Sequence, residues 1–153
     1  YIISNSAIQS PHHCGLVSHC RRPLDALAMH DASQVLLGEH DFSAFRAAQC
    51  QAAHPVRQIF GVSVNRFGDF IVLDIEANAF LYHMVRNLVG SLQMVGSGQR
   101  SREWIEELLK GKDRTLGGDT ASASGLYLQS ITYPEHFGLP VNSVSNSLLL
   151  GGS

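Results

Sequence analysis

Histidine and cysteine side chains are concentrated in one short segment near the start of the sequence. His12, His13, Cys14, His19 and Cys20 are all residue types that bind zinc, and a loop can gather three such side chains around one ion. Their spacing, however, lacks the paired two-residue gaps that are typical of structural zinc sites. We therefore predict no metal ion in this protein, with a small metal-binding domain built on these residues as an alternative.

An arginine, Arg86, lies within the mostly apolar stretch of residues 80–87. A charge at the margin of a buried helix face is costly unless it is paired, so this guanidinium requires a partner. One interpretation is a structural ion pair with Asp74 or Glu76. The other is that its planar fork of donors holds a carboxylate or a phosphate in a cleft. The residues alone favour the ion pair.

Residues 45–51 combine an aromatic ring, an arginine and two glutamines. Phe45, Arg46, Gln49 and Gln51 can together contact an exposed nucleotide, the ring by stacking and the polar groups by hydrogen bonds. The alternative is a solvated loop in which Phe45 is an anchor in the core. The residue types do not separate these two interpretations.

The periodicity of apolar residues predicts the elements that position these side chains. Apolar residues alternate on both sides of a turn at 66–69, which indicates a β-hairpin. Three segments with helical spacing predict helices, and strands are predicted towards both ends. This mixture predicts an α+β fold with helices on one face of a mostly antiparallel sheet. The predicted boundaries are 1–5, 16–19, 60–64, 71–75 and 126–133 for strands and 25–37, 80–95 and 101–109 for helices.

The composition is that of an ordinary globular domain. The chain has 153 residues, of which 44% are hydrophobic and 16% are charged, enough to bury a core. No apolar run approaches the roughly 20 residues that span a bilayer, so no membrane association is predicted. Three cysteines, an odd number, argue against a disulfide framework and favour a cytoplasmic location. A net charge of −2 differs from the basic character of most free-standing nucleic-acid-binding domains.

Three stretches of the sequence form a recognisable pattern. They are residues 42–51 (Phe-Ser-Ala-Phe-Arg-Ala-Ala-Gln-Cys-Gln), residues 78–90, which contain the run Met-Val-Arg-Asn, and residues 125–128 (Gly-Leu-Tyr-Leu). The runs Arg-Pro-Leu-Asp at 22–25 and Lys-Asp-Arg-Thr at 112–115 fit the same pattern. The sequence therefore resembles the C-terminal half of the tRNA pseudouridine synthase A family, over almost its whole length and in the same order.

This resemblance implies a pseudouridine synthase fold, a homodimer, and isomerisation of uridine to pseudouridine in the anticodon stem-loop of tRNA without a metal or organic cofactor. It implies that Arg86 holds the enzyme's catalytic aspartate and that Leu126 packs in the active-site pocket. Residues 1–140 are expected to form the C-terminal half of the catalytic core, and residues 141–153 a flexible tail. The implied partners are tRNA and the N-terminal half of the same protein.

The family's catalytic aspartate belongs to an Arg-Thr-Asp-Ala-Gly-Val-His motif, which does not occur in this sequence. The nearest counterpart, Asp-Arg-Thr-Leu at 113–116, has a different order. The family's active-site tyrosine lies in an Arg-Tyr-x-Tyr run, of which Tyr1 corresponds to the second tyrosine. We therefore expect half of an enzyme, inactive by itself, whose parent supplies the aspartate. A non-catalytic RNA-binding or dimerisation module is the alternative.

Overall fold

A computed structural model describes residues 1–133 and residue 138, and in these residues one sheet and three α-helices share a single hydrophobic core. None of the described helices has the length and apolar character needed to cross a membrane. The expected tail at residues 141–153 lies outside the described residues. The elements are β1 (Ile2–Ser4), β2 (Ser18–His19), α1 (Ala26–Ser33), β3 (Gly38–Asp41), β4 (Val56–Phe67), β5 (Phe70–Ala77), α2 (Met84–Gly96) and α3 (Trp104–Gly111).

The strands form one five-stranded sheet in the order β2-β1-β5-β4-β3. Only β1 and β2 run parallel, and every other pairing is antiparallel, so the predicted α+β fold with a mostly antiparallel sheet is confirmed. The centre of the sheet is the predicted hairpin, in which Phe67 pairs with Phe70 across a two-residue turn. Gly68 has φ +58° in this turn, a left-handed conformation that glycine adopts without a steric cost.

A bulge in β4 changes which side chains face the core. Ile59 pairs with Ala77, whereas Gly61 pairs with Glu76, so Phe60 is an extra residue on its strand. As a result, Ile59 and Val62 are both buried, and the Phe60 side chain is 56% exposed. The regular alternation predicted from Phe60 onward is therefore wrong at its first residue.

Helix α1 covers the part of β4 that extends beyond its neighbour β3. The imidazole Nδ1 of His30 accepts a hydrogen bond of 3.1 Å from the backbone N–H of Val64. One turn later, the Gln34 amide donates to the carbonyl of Val62 at 3.2 Å. These two side chains take the place of a further strand, because backbone groups at a sheet edge otherwise stay unpaired.

All three predicted helices have different ends in the structure, and the one predicted over 101–109 extends from Trp104 to Gly111. The helix predicted from residue 80 begins at Met84, because His83 has φ +59° and a left-handed residue cannot be part of an α-helix. The helix predicted to reach residue 37 ends as an α-helix at Ser33 and continues as a 3-10 turn over Gln34–Leu36. Gly38 then begins β3 with φ +93°.

Two strand assignments also differ from the prediction. Strand β3 is not among the predicted strands, because its sequence Gly-Glu-His-Asp contains no β-branched residue. It is held by its backbone pairing with β4. The predicted strand at 126–133 is wrong, because these residues form no ladder with any described strand and are all exposed. A high β propensity produces a strand only where a sheet edge is available for pairing.

The segment 117–121 lies directly against α2 because glycines face each other at the contact. A Cβ atom added at Gly90 would lie 1.7 Å from the carbonyl oxygen of Asp119, and one at Gly118 would lie 2.7 Å from the carbonyl carbon of Gly90. The Gly118 N–H also donates to the Ser91 hydroxyl at 3.0 Å. Any side chain at either glycine would therefore push the segment away from the helix.

We predict that Gly90→Ala destabilises the protein by about 2–3 kcal/mol, because overpacking against a backbone atom exceeds the small gain in helix propensity. Gly111→Ala is the matched control, since a Cβ at that helical glycine meets open space. It is expected to leave stability unchanged or to raise it slightly. Urea unfolding followed by circular dichroism compares the two, and equal stabilities would contradict the packing described here.

Candidate active-site cleft

An open cleft of about 1320 Å³ lies between the β4–β5 hairpin, the segment that leads into α2, and residues 123–130. Its lining carries charge of both signs: two acids on β5 and one arginine on α2. Aromatic and aliphatic side chains complete the surface. Its lining includes Tyr1, Asp74, Glu76, Tyr82, His83, Arg86 and Leu126.

The guanidinium of Arg86 is held on one side of this cleft by a backbone carbonyl and an imidazole. Its Nε donates to the carbonyl of Ala121 at 2.7 Å, and the Ala121 N–H donates back to the Arg86 carbonyl at 3.1 Å. Its Nη1 lies 3.1 Å from Nε2 of His83. Neither Asp74 nor Glu76 forms a salt bridge with it, so the structure does not support the structural ion pair considered from the sequence.

Arg86 lies in the first turn of α2, where its charge adds to that of the helix N-terminus. The N-terminus of a helix carries a partial positive charge from its unpaired N–H groups, and α2 has no acidic residue in its first turn. Arg86 therefore adds a full positive charge where the helix itself already favours an anion. A carboxylate or a phosphate placed here would be stabilised by both.

Tyr1 and Leu126 lie in the same cleft. The Tyr1 hydroxyl donates to the carbonyl of Ser122 at 2.6 Å, and a Cβ at Gly125 would lie 2.7 Å from the Tyr1 ring. Burial is the largest influence on the Tyr1 hydroxyl and raises its pKa, although the neighbouring Ser18 side chain and the charge of Arg86 act in the opposite direction. Leu126 follows a 3-10 turn at Ala123–Gly125 and is 43% exposed, so its side chain is available at the cleft surface.

The four side chains that the sequence offers for nucleotide binding differ in how accessible they are in the structure. The Phe45 ring is fully buried against Phe42, with 6.3 Å between ring centroids, so it offers no face to a nucleotide and serves as a core anchor. Arg46 closes its own loop by donating from Nη2 to the carbonyls of Cys50 and Ala52, at 3.1 and 2.6 Å. Gln49 and Gln51 are exposed.

One carboxyl group and one thiol group near this loop have shifted pKa values. Burial would raise the pKa of the Asp41 carboxyl, but hydrogen bonds from Ser43 and the charge of Lys112 outweigh it, and the net pKa is lowered. A backbone hydrogen bond at Ala52 is the main cause of a lowered pKa at the Cys50 thiol, which is free. The Asp41 interactions hold the 3-10 turn at Ser43–Phe45 close to the end of α3.

Asn87 links the loop of Phe45 to Arg114 and to the segment 117–121 that packs against α2. Its amide Nδ2 donates to the carbonyl of Phe45 at 2.8 Å. Its Oδ1 accepts from Nη2 of Arg114 at 2.9 Å and from the Thr120 hydroxyl at 2.6 Å. Its amide offers a donor and an acceptor on separate atoms, and the side chain is 1% exposed, so these bonds are shielded from water.

Sequence reasoning missed Asn87, and it also missed the ring pair of Tyr82 and His83. These rings stack with 4.0 Å between centroids and an angle of 25° beside Arg86. His83 precedes α2 and has a left-handed backbone, so helical spacing does not relate it to Arg86, and the residue types carried no signal for this pair. In residues 1–133 and 138, no three His, Cys, Asp or Glu side chains form a group that could hold a metal ion.

We predict that Asn87→Ala destabilises the protein by about 3 kcal/mol, because it leaves the buried Phe45 carbonyl without a donor and breaks two further bonds. Asn65→Ala is the control, since that side chain is exposed; a change below about 0.5 kcal/mol is expected there. Chemical denaturation measures both, and a similarly small change for the two variants would refute the role given to Asn87.

Comparison with known proteins places the chain in a family. Residues 32–134 match the sequence profile of the family described as tRNA pseudouridine synthase. The tRNA pseudouridine synthase A of Tolumonas auensis is 54% identical over 140 residues, which are 92% of this chain and 54% of that protein. The protein of the same name from Idiomarina loihiensis is 52% identical, with the same coverage.

A third relative, the tRNA pseudouridine synthase A of Klebsiella pneumoniae, is 50% identical over 141 residues, or 92% of this chain and 52% of that protein. The chain thus spans about half the length of the curated relatives it matches. The family match covers more than half of the chain, including β3 to α3. It contains Arg86 and every cleft-lining residue except Tyr1. The chain belongs to the tRNA pseudouridine synthase family.

Proposed function

We propose that this chain forms one wall of the active site of a tRNA pseudouridine synthase, and that the rest of the enzyme supplies the catalytic aspartate. In this proposal Arg86 binds that aspartate, and residues 1–140 are the C-terminal half of the catalytic core. The observation that carries it is the state of Arg86: it is held in an open cleft by a backbone carbonyl and an imidazole, with no salt bridge to a described acidic residue. The names of the relatives support the reaction.

The unused donors of Arg86 suit a carboxylate. A guanidinium has five N–H donors, of which Nε and one on Nη1 are engaged, so three remain on Nη1 and Nη2. Nη2 forms no hydrogen bond to any residue that the structure describes. Two parallel N–H groups on these nitrogens match the two oxygens of a carboxylate, which is the strongest arrangement for such a pair.

The reaction needs no redox partner, since it is an isomerisation. The bond between N1 of uracil and C1′ of ribose breaks, the base turns, and a bond forms between C5 and C1′. The hydrogen on C5 is released and N1 gains a proton. In this scheme Arg86 keeps the aspartate ionised and oriented, because a positive neighbour favours the charged form of a carboxyl group.

Leu126 and the polar loop have supporting roles in the proposal. Leu126 presents apolar surface to the turned base and excludes water from the reacting atoms, as its exposure within the cleft allows. Gln49 and Gln51 contact the tRNA backbone or an unpaired base, and Arg46 shapes their loop. The enzyme acts on tRNA as a homodimer in the cytoplasm, without a cofactor.

The test is a tritium-release assay on unmodified tRNA that carries tritium at C5 of its uridines, with the protein of the whole reading frame that encodes this chain. We expect activity from the whole protein and none from residues 1–153 alone. Arg86→Ala should lower kcat by at least about 10²-fold, because the aspartate loses its fixed position.

Arg102→Ala is the matched control, since Arg102 forms an exposed ion pair with Asp31. Its activity should stay within about twofold of the unmodified protein. An inactive whole protein that still binds tRNA or dimerises would overturn the proposal in favour of a non-catalytic module. Activity in residues 1–153 alone, or an active Arg86→Ala protein, would overturn the assignment of roles.

A further inference from the structure

We propose that His83 is a positioning residue for Arg86, and that it acts as a neutral hydrogen-bond acceptor. The inference rests on the proposed function, because it concerns how Arg86 is kept ready for the aspartate. Its starting point is the distance of 3.1 Å between Nε2 of His83 and Nη1 of Arg86. Nothing in the sequence pattern assigns a role to this imidazole.

The direction of this hydrogen bond follows from the chemistry of arginine. A guanidinium stays protonated in proteins and has no acceptor, so it is always the donor. His83 must therefore present an unprotonated Nε2, which places its single ring proton on Nδ1. The imidazole is neutral in this arrangement and adds no charge that would compete with Arg86 for an anion.

The His83 ring is itself held in place from two directions. One face stacks on Tyr82, at 4.0 Å between centroids. The backbone of His83 has φ +59°, directly before the first residue of α2, and its carbonyl accepts from the Asn87 N–H at 2.9 Å. A left-handed conformation is uncommon for a residue with a side chain, and such residues are concentrated at functional sites.

The hydrogen bond between His83 and Arg86 limits rotation of the guanidinium towards competing partners in the same cleft. Asp74 and Glu76 also line it, and a long arginine side chain that is held at one point only can rotate towards them. The Ala121 carbonyl holds Nε of Arg86, and His83 holds Nη1. Together with the covalently bound Cδ, the two held nitrogens set the plane of the guanidinium, and a bidentate carboxylate requires that plane.

The test compares two amides at position 83 in the whole protein. In His83→Gln the side-chain amide reaches about as far as Nε2, so it can accept from Arg86. In His83→Asn the amide reaches only as far as Nδ1, while asparagine tolerates the left-handed backbone better than most residues. The pair therefore separates the loss of the acceptor from backbone strain.

We expect His83→Asn to lower kcat by about 10–100-fold, with KM for tRNA within about threefold, since a small displacement of a positioned group slows the chemical step. His83→Gln should recover most of that loss. In an Arg86→Lys background, His83→Asn should change kcat by less than about twofold, because the two residues act as one unit.

Equal losses in the Gln and Asn variants would overturn the inference, as would a loss that appears mainly in KM or one that persists in the Arg86→Lys background. These results are distinct from a failure of the proposed function. If Arg86→Ala is inactive and both His83 variants keep full activity, only the positioning role is wrong. If Arg86→Ala is itself active, the assignment of Arg86 fails.

Discussion

The close approach of residues 117–121 to α2 is the contact on which the rest of the cleft depends. It requires two glycines, because the backbone of one segment occupies the space that a side chain of the other would need. The same contact brings the Ala121 backbone to Arg86, where it both donates and accepts. A charged side chain is thus oriented by main-chain groups, which have little freedom to move once the segment is packed.

A polar network connects this contact to the hydrophobic core. Asn87 is adjacent to Arg86 in the chain, yet its side chain points the other way, towards Phe45, Arg114 and Thr120. The run Met-Val-Arg-Asn therefore contains two polar residues with separate tasks, one at the cleft and one in the interior. Buried polar groups that are fully paired favour one arrangement over others, which keeps the wall of the cleft rigid.

Much of the architecture was predictable from residue patterns, and the failures have physical causes. The hairpin and the buried stripe of α2 follow from periodicity, which depends only on local geometry. Periodicity predicts too early a start for α2, because Phe80 and Leu81 continue the apolar spacing and nothing in the residue types reveals a left-handed His83. The unpaired segment at 126–133 has the composition of a strand, but pairing depends on distant residues that periodicity does not describe.

The candidate site was predictable only where a family resemblance added to the chemistry. Arg86 alone favoured an ion pair, since Asp74 and Glu76 are the nearest charges in the sequence pattern, and the structure shows backbone and imidazole partners instead. Phe45 was equally suited to a base or to the core, and the deciding quantity was its burial. Burial and hydrogen-bond direction are properties of the fold, so they cannot be read from residue types.

The placement of β1 has a consequence for how the protein is made. This strand comes first in the chain, but it is inserted between β2 and β5, and the Tyr1 hydroxyl is bonded to the carbonyl of Ser122. Contacts of such large sequence separation form late and slow the folding rate. On the ribosome, the cleft therefore cannot close until nearly all of the described chain has been synthesised. Strand β1 is already available when β5 emerges, so the edge of the hairpin can be covered before residues 123–130, which complete the cleft, have been made.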